Sequence, residues 1–317
     1  MRTPHPGGPS GDASLGALRS LLGLDLPTLE PGTPGDPGLF GPGTMIWAVG
    51  RERVLLAGGA AALLLQVAHP LVAAGVAAHS DFRDDPFRRL RATLDATLRI
   101  TFGDRQQAES AAQAVRRVHA GVRGRLPRAV GPFAAGTPYD ASDPHLALWV
   151  HASLLATSLQ VYGMFVRRLG LADRERYYQE ARPFALLFGV GDEVLPPDYR
   201  AFRAYLTRMI AGPDLAVGED ARALASQIMA PPLPLPARAG LPALRAVTAS
   251  LLPARLRMDF DLAWGPGARA LTAGLGPPAR LAVRGLPARF RDWPHHRIAQ
   301  RRAANGGNEQ GLSSVPQ

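Results

Sequence analysis

Four of the eight histidines, His69, His79, His119 and His151, fall within the most apolar half of the chain. An imidazole can ligate a metal or move a proton near neutral pH, and an apolar setting holds such a group only if something satisfies it. In QAVRRVHAGVRG, the residues Ala112, Val115, His119 and Val122 recur at spacings of three and four, which places the His119 ring on the buried stripe of a helix. HLALWVHASLLATSL repeats the pattern with Leu148, His151 and Leu155. HPLVAAGVAAHSDF sets His69, His79 and Asp81 around a short apolar turn. RRLRATL puts Arg89 and Thr93 four apart on one helical face, followed by Thr97. That pair could donate to an anion, a propionate or bound oxygen; a solvated face with a threonine bonded back to its own helix has the same spacing. His295 lies far along the chain from these segments and is the natural control position.

Several chemistries are excluded by what is missing. The chain has no cysteine, so disulfides, zinc-thiolate sites, iron-sulfur clusters and thiolate-ligated haem are ruled out. There is no His-Glu-x-x-His segment for a zincin and no Gly-x-Ser-x-Gly for a hydrolase elbow. The inward helix faces carry histidine without the partner glutamates of a di-iron bundle. Dinucleotide and P-loop glycine patterns do not occur between a strand and a helix. A histidine-ligated haem or a histidine-rich mononuclear metal in an apolar helical pocket remains.

The elements that would position these residues read as an all-α bundle. From Thr44 to about Gly191 apolar residues recur at helical spacing, and alternating β-branched runs are scarce. Helices are expected at Thr44–Ala68, Pro70–Ala78, Pro86–Phe102, Arg105–Arg123, Pro144–Leu169 and Ala172–Leu187, then around Pro197–Ala211 and Gly218–Met229. Asp85-Pro86 and Asp143-Pro144 are N-terminal signals, and Gly103, Gly124 and Gly170 are stops. PPLPLP at Pro231–Pro236 forces an extended connection, and Leu241–Leu286 divides into two or three short helices. Residues 1–43, rich in Pro-Gly punctuation, read as a disordered arm, 44–297 as one large helical domain, and 298–317 as a frayed tail.

Val54–Ala78 is apolar over a length that raises the membrane question, but Gly58, Gly59, Gln66, His69 and Pro70 favour two core helices broken at His69-Pro70. The net charge of +10 is carried by arginine without any lysine, beside abundant Ala, Gly and Pro. That pattern fits a compositional bias better than a nucleic-acid surface. Residues 1–43 show no basic start followed by an apolar run, so a cytoplasmic location is expected.

These segments, taken in order, resemble the MpaB-type oxygenase family, which includes the latex-clearing rubber oxygenases. LLLQVAHPLVAAGVAAHSDF, DPFRRLRATL, VRRVHAGVRG, DPHLALWVHASL and RYYQEARPFALLFGV carry the likeness, which runs from about Met45 to Pro294. The resemblance implies an all-helical fold holding one non-covalent b-type haem, with His119 as iron ligand and Arg116, His69 and Asp81 as further cofactor-binding residues. Arg89 and Thr93 would stand near the haem, and either that pair or His79 and His151 would donate to iron-bound oxygen. His151 is the rival ligand, or a second one opposite His119. The partners would be dioxygen and a small apolar substrate, with membrane contact peripheral and not integral. The secreted rubber-cleaving members carry an export signal and the fungal ones a membrane anchor. Neither is visible here, so an isoprenoid-like molecule smaller than rubber is expected. A non-catalytic haem or apolar-ligand binder and a basic membrane-associated helical protein are the competing readings.

Overall fold

A computed structural model describes residues 26–79, 86–231 and 238–312, and the expected all-α architecture is what it shows. In chain order the helices are α1 Met45–Gly50, a 3-10 turn Arg53–Gly58, α2 Gly59–Val67, α3 Pro70–His79, α4 Pro86–Phe102 and α5 Arg105–Ala120. A two-stranded antiparallel hairpin follows, β1 Arg123–Arg125 and β2 Pro138–Asp140, with Gly124 opposite Tyr139. Then come α6 Pro144–Phe165, α7 Leu171–Leu186, α8 Tyr199–Ala211, α9 Glu219–Met229, α10 Leu241–Leu251, α11 Ala254–Asp259, α12 Pro266–Gly285, α13 Ala288–Arg291 and α14 Pro294–Leu312.

Side-chain oxygens that take up orphan N–H groups set several of the starts. Asp104 accepts from Gln107 N while the Gln107 side chain returns a bond to Asp104 N, a complete capping box for α5. Asp143 accepts from His145 N and Leu146 N ahead of Pro144. Asp85 lies outside the described residues. One expected stop moves: α5 ends at Ala120 with Gly121 after it, and Gly124 lies inside β1, where an added Cβ would stand 2.5 Å from the Tyr139 hydroxyl.

The long helix α6 is the axis of the core. Trp149 is almost wholly buried on it and donates its ring N–H to the Leu65 carbonyl at 3.1 Å. Leu64, Leu65, Val161, Phe165, Leu215, Leu224 and Leu256 close around it from α2, α6, the α8–α9 connection, α9 and α11, each fully buried side chain contributing about 2 kcal/mol by burial. At Gly58 a Cβ would fall 2.6 Å from Thr157 Cγ2 and 2.7 Å from Val161 Cγ2, so this position must be glycine for the 3-10 turn to lie on α6.

The stretch expected as one helix from Thr44 to Ala68 is in fact three pieces. Glu52 leaves the helical path to form an antiparallel bridge with Asp292, and the chain restarts as the 3-10 turn. The break at His69-Pro70 is as expected, and α2 with its preceding turn is bent from α3 by 109°. Among the described residues no single helix is long and apolar enough to cross a membrane.

Both ends of the folded part extend further than the sequence pattern implies. In the Pro/Gly-rich stretch, residues 26–43 make successive turns packed on the body: Leu29 is buried, Thr33 N donates to Asp104, and Gly35 N donates to the Arg302 carbonyl. At the other end Ala299 and Arg302 are buried, and Arg302 donates to the carbonyls of Asp36 and Phe102. These segments hold because they pair with each other, not because either has an apolar periodicity of its own. The connection at 232–237 lies outside the described residues.

Candidate functional site

His151 sits on α6 two turns after the Asp143 cap and is 7% exposed. Burial pulls its pKa down to about 4, so its imidazole is neutral at physiological pH. The ring stacks on Phe184 of α7, centroids 5.9 Å apart and planes within 22°. Phe184 meets Phe188, just past the end of α7, at 5.4 Å, and Phe188 meets His119 at 6.3 Å. Four rings therefore run in a row from the buried His151 to the half-buried His119 on the last turn of α5.

Arg116 lies one turn before His119 and donates Nη1–H to the Leu187 carbonyl at 2.5 Å. That carbonyl is among those a helix leaves unsatisfied at its C-terminus, so Arg116 fastens α5 to the end of α7 beside the row. Ile100, Ala111 and Ala112, with Leu39, Phe40 and Leu187, form the apolar backing. Burial along the α5 stripe fades toward His119: Ala108, Ala111 and Ala112 are buried, while Val115 and His119 are only partly covered.

The other sequence-predicted residues are placed apart. His69 is buried at the α2–α3 break, where its Nδ1 accepts from Leu71 N at 3.3 Å and its ring lies 5.2 Å from Phe133. Burial drives its pKa down to about 4 against the opposing pull of Asp214 and Asp143. His79 is exposed, with Nε2 at 3.2 Å from the Arg123 carbonyl and 3.4 Å from the Tyr139 hydroxyl. His69 and His79 do not share a short turn as expected: α3 runs between them, about 15 Å of helix. Asp81 lies outside the described residues, as does the side chain of Arg89 on the first turn of α4. Thr93 is exposed, and Thr97 donates back to the Thr93 carbonyl at 2.8 Å, the helix-satisfied alternative for that hydroxyl. Among the described residues no three His, Asp or Glu side chains converge as a metal site. A groove of about 640 Å³ opens between α6, α7 and α10, lined by Leu159, Met164, Arg168, Arg174 and Leu252, away from both histidines of the row.

Sequence reasoning did not bring out Phe184 and Phe188, whose only signal was their four-residue spacing in RPFALLF. It also did not anticipate a second buried polar cluster. Glu52, fully buried, faces Arg291 Nε at 3.2 Å and Arg51 Nε at 3.4 Å. Asp292 faces His296 Nδ1 at 3.5 Å. Burial holds the Glu52 carboxyl above its ordinary range even though Arg291 and Arg51 oppose it. His295 is 2% exposed, and the Pro27 carbonyl faces its ring without completing a hydrogen bond of good geometry. His295 is therefore no neutral control, because its substitution would disturb the packing of α14. Exposed His145 suits that purpose.

With this geometry in place, the chain can be set beside known proteins. Uncharacterized proteins of Mycobacterium bovis and Mycobacterium tuberculosis are each 30% identical to it over 236 residues, which is 73% of this chain and 89% of theirs. No solved structure matches it. The sequence profile of the family described as ER-bound oxygenase mpaB/B'/rubber oxygenase, catalytic domain, matches residues 46–284 and so takes in α1 to α12 and the whole ring row. The chain belongs to that family of oxygenase catalytic domains.

Proposed function

We propose that this oxygenase uses haem b held through His119, and that it oxidises an apolar, isoprenoid-like olefin with dioxygen. The observation that carries the reading is the row of rings between two imidazoles. A mononuclear non-haem iron needs about three protein ligands, and no such group converges among the described residues. A haem brings four of its own and asks for one neutral imidazole and flat apolar walls. His119 with Phe184 and Phe188 fits that request.

Haem b, when bound, supplies the iron at which dioxygen is activated. The chain's own groups supply the rest. His119 is the ligand, and Arg116, one turn before it and bonded to the Leu187 carbonyl, is the nearby cation for an anionic propionate. Phe184 and Phe188 exclude water and give an olefin a flat surface to lie against. His151 is neutral and carries one ring proton, so it can donate to a developing oxyanion without bringing in a charge. Two phenyl rings stand between His151 and His119, which counts against His151 as a second ligand of the same iron.

The test is the visible absorption spectrum of the full chain expressed with haem supply, with a pyridine haemochrome assay. One b-type haem per chain, lost in His119→Ala and kept in His145→Ala, is the expected result. Equal retention in the two variants would remove His119 from the iron, and a colourless protein that refuses haemin would remove the haem. Oxygen uptake with a short polyisoprene is then expected, and a haem protein without turnover on any olefin would leave a binder instead of an enzyme.

A further inference from the structure

α12 packs on the core through only part of its circumference. Thr272, Leu275, Ala279 and Val283 recur at spacings of three and four and face the body of the protein. Leu281 points the opposite way and is 75% exposed, Leu271 is 40% exposed, and beyond the helix Leu286 and Phe290 are 44% and 47% exposed. Four of the eight large exposed apolar side chains among the described residues thus lie in twenty consecutive positions. At 3.6 residues per turn Arg269, Arg280 and Arg284 fall within about 60° of one another, on one shoulder of the Leu281 crest. Arg289 lies over the Phe290 ring at 4.8 Å. From 262 to 291 the chain has no Asp or Glu.

We propose that the α12–α13 face seats the protein on the surface of an anionic lipid bilayer, with Leu271, Leu281, Leu286 and Phe290 entering the headgroup region and Arg269, Arg280, Arg284 and Arg289 meeting lipid phosphates. An apolar crest beside a cationic shoulder is the pattern of a helix lying in the interface plane. The chemistry selects lipid over the other occupants. A two-fold contact with a second copy would set this wholly cationic face against itself. A nucleic acid would meet the arginines but leave the leucine crest without an apolar partner. A bilayer satisfies both halves of such a face. This inference rests on the surface alone and stands apart from the haem assignment.

The experiment is flotation of the full chain with phosphatidylcholine vesicles, with and without phosphatidylglycerol. Binding is expected only with phosphatidylglycerol and is expected to fall as salt is raised. The double variant Leu281→Ser, Phe290→Ser changes no charge and should weaken partitioning about tenfold. The pair Arg284→Glu, Arg289→Glu should weaken it by at least about fivefold per site, whereas the equal charge change Arg203→Glu, Arg222→Glu on other exposed surface should do much less. All six side chains exchanged are exposed, so unchanged far-ultraviolet circular dichroism is expected throughout. The proposal is overturned if the chain stays unbound with phosphatidylglycerol, if the serine variant floats as well as the parent, or if the two charge-reversal pairs are equivalent. It is equally overturned if light scattering shows a dimer that Leu281→Ser dissociates.

Discussion

His151 has two measurable properties that follow from one cause. Its burial keeps the ring neutral and also makes the fold sensitive to acid, because the unfolded chain would bind a proton near pH 6.5 while the folded one waits until about pH 4. The unfolded state therefore takes up protons first as pH falls. The contribution is complete above about pH 6.5 and is lost progressively down to about pH 4, on the order of 3 kcal/mol for such a histidine. His69 has the same displacement and adds to the effect. Urea unfolding between pH 7.5 and 4.5 should show the decline, and His151→Phe, which preserves a ring against Phe184, should flatten it by about one proton; an unchanged slope would place the titration elsewhere. At this scale the sequence was most informative about residues lying on one helix. The inward placing of His151, and in part that of His119, could be read from the periodicity of their own helices. Phe184 and Phe188 could not, because their meaning arises only when α7 is laid across α5 and α6, a contact no local spacing encodes.

Among elements, the capping box of α5 carries the clearest energetic statement. Asp104 serves Gln107 N and, across the fold, Thr33 N, so it fixes both the start of the helix that bears His119 and the preceding Pro/Gly-rich segment. Asp104→Ala should cost about 1 kcal/mol for the cap and about as much again for the stranded Thr33 N–H, read as a lowered urea midpoint. A shift no larger than that of an exposed substitution would show the cap to be idle. The helix signals at Asp143-Pro144 and His69-Pro70 were legible because proline and the capping acid act locally. The interruption at Glu52 was not: nothing in MIWAVGRERVLLAGG demands a break, and the break exists because Asp292, far along the chain, offers a bridge. Similarly Gly124 reads as a helix stop from its neighbours but belongs to a strand, since the Tyr139 ring fills the space beside it.

The whole molecule is held shut by its two ends. The segment at 26–43 and the stretch from α13 through α14 lie outside the family match at 46–284, yet the latter supplies Arg302 to two carbonyls, and Arg291 and Asp292 to the neighbourhood of Glu52. A chain cut to the matched residues would keep the ring row and Arg51 but lose Arg291, one of the two cations that face the fully buried Glu52, a change that costs up to several kcal/mol. It should express poorly or melt well below the full chain, and equal melting temperatures would show the ends to be ornaments. Fold class was legible because helical periodicity spans most of the sequence, whereas the closure of the ends was hidden in polar, proline-punctuated stretches whose partners are each other. The same closure governs how the protein comes into being. Glu52 is synthesised early and must wait for Arg291 and Asp292, so the core around it closes only once α13 has been made. A premature stop anywhere before α13 would leave Glu52 facing Arg51 alone, with its bridge to Asp292 unmade, a defect for the cell's proteases to find.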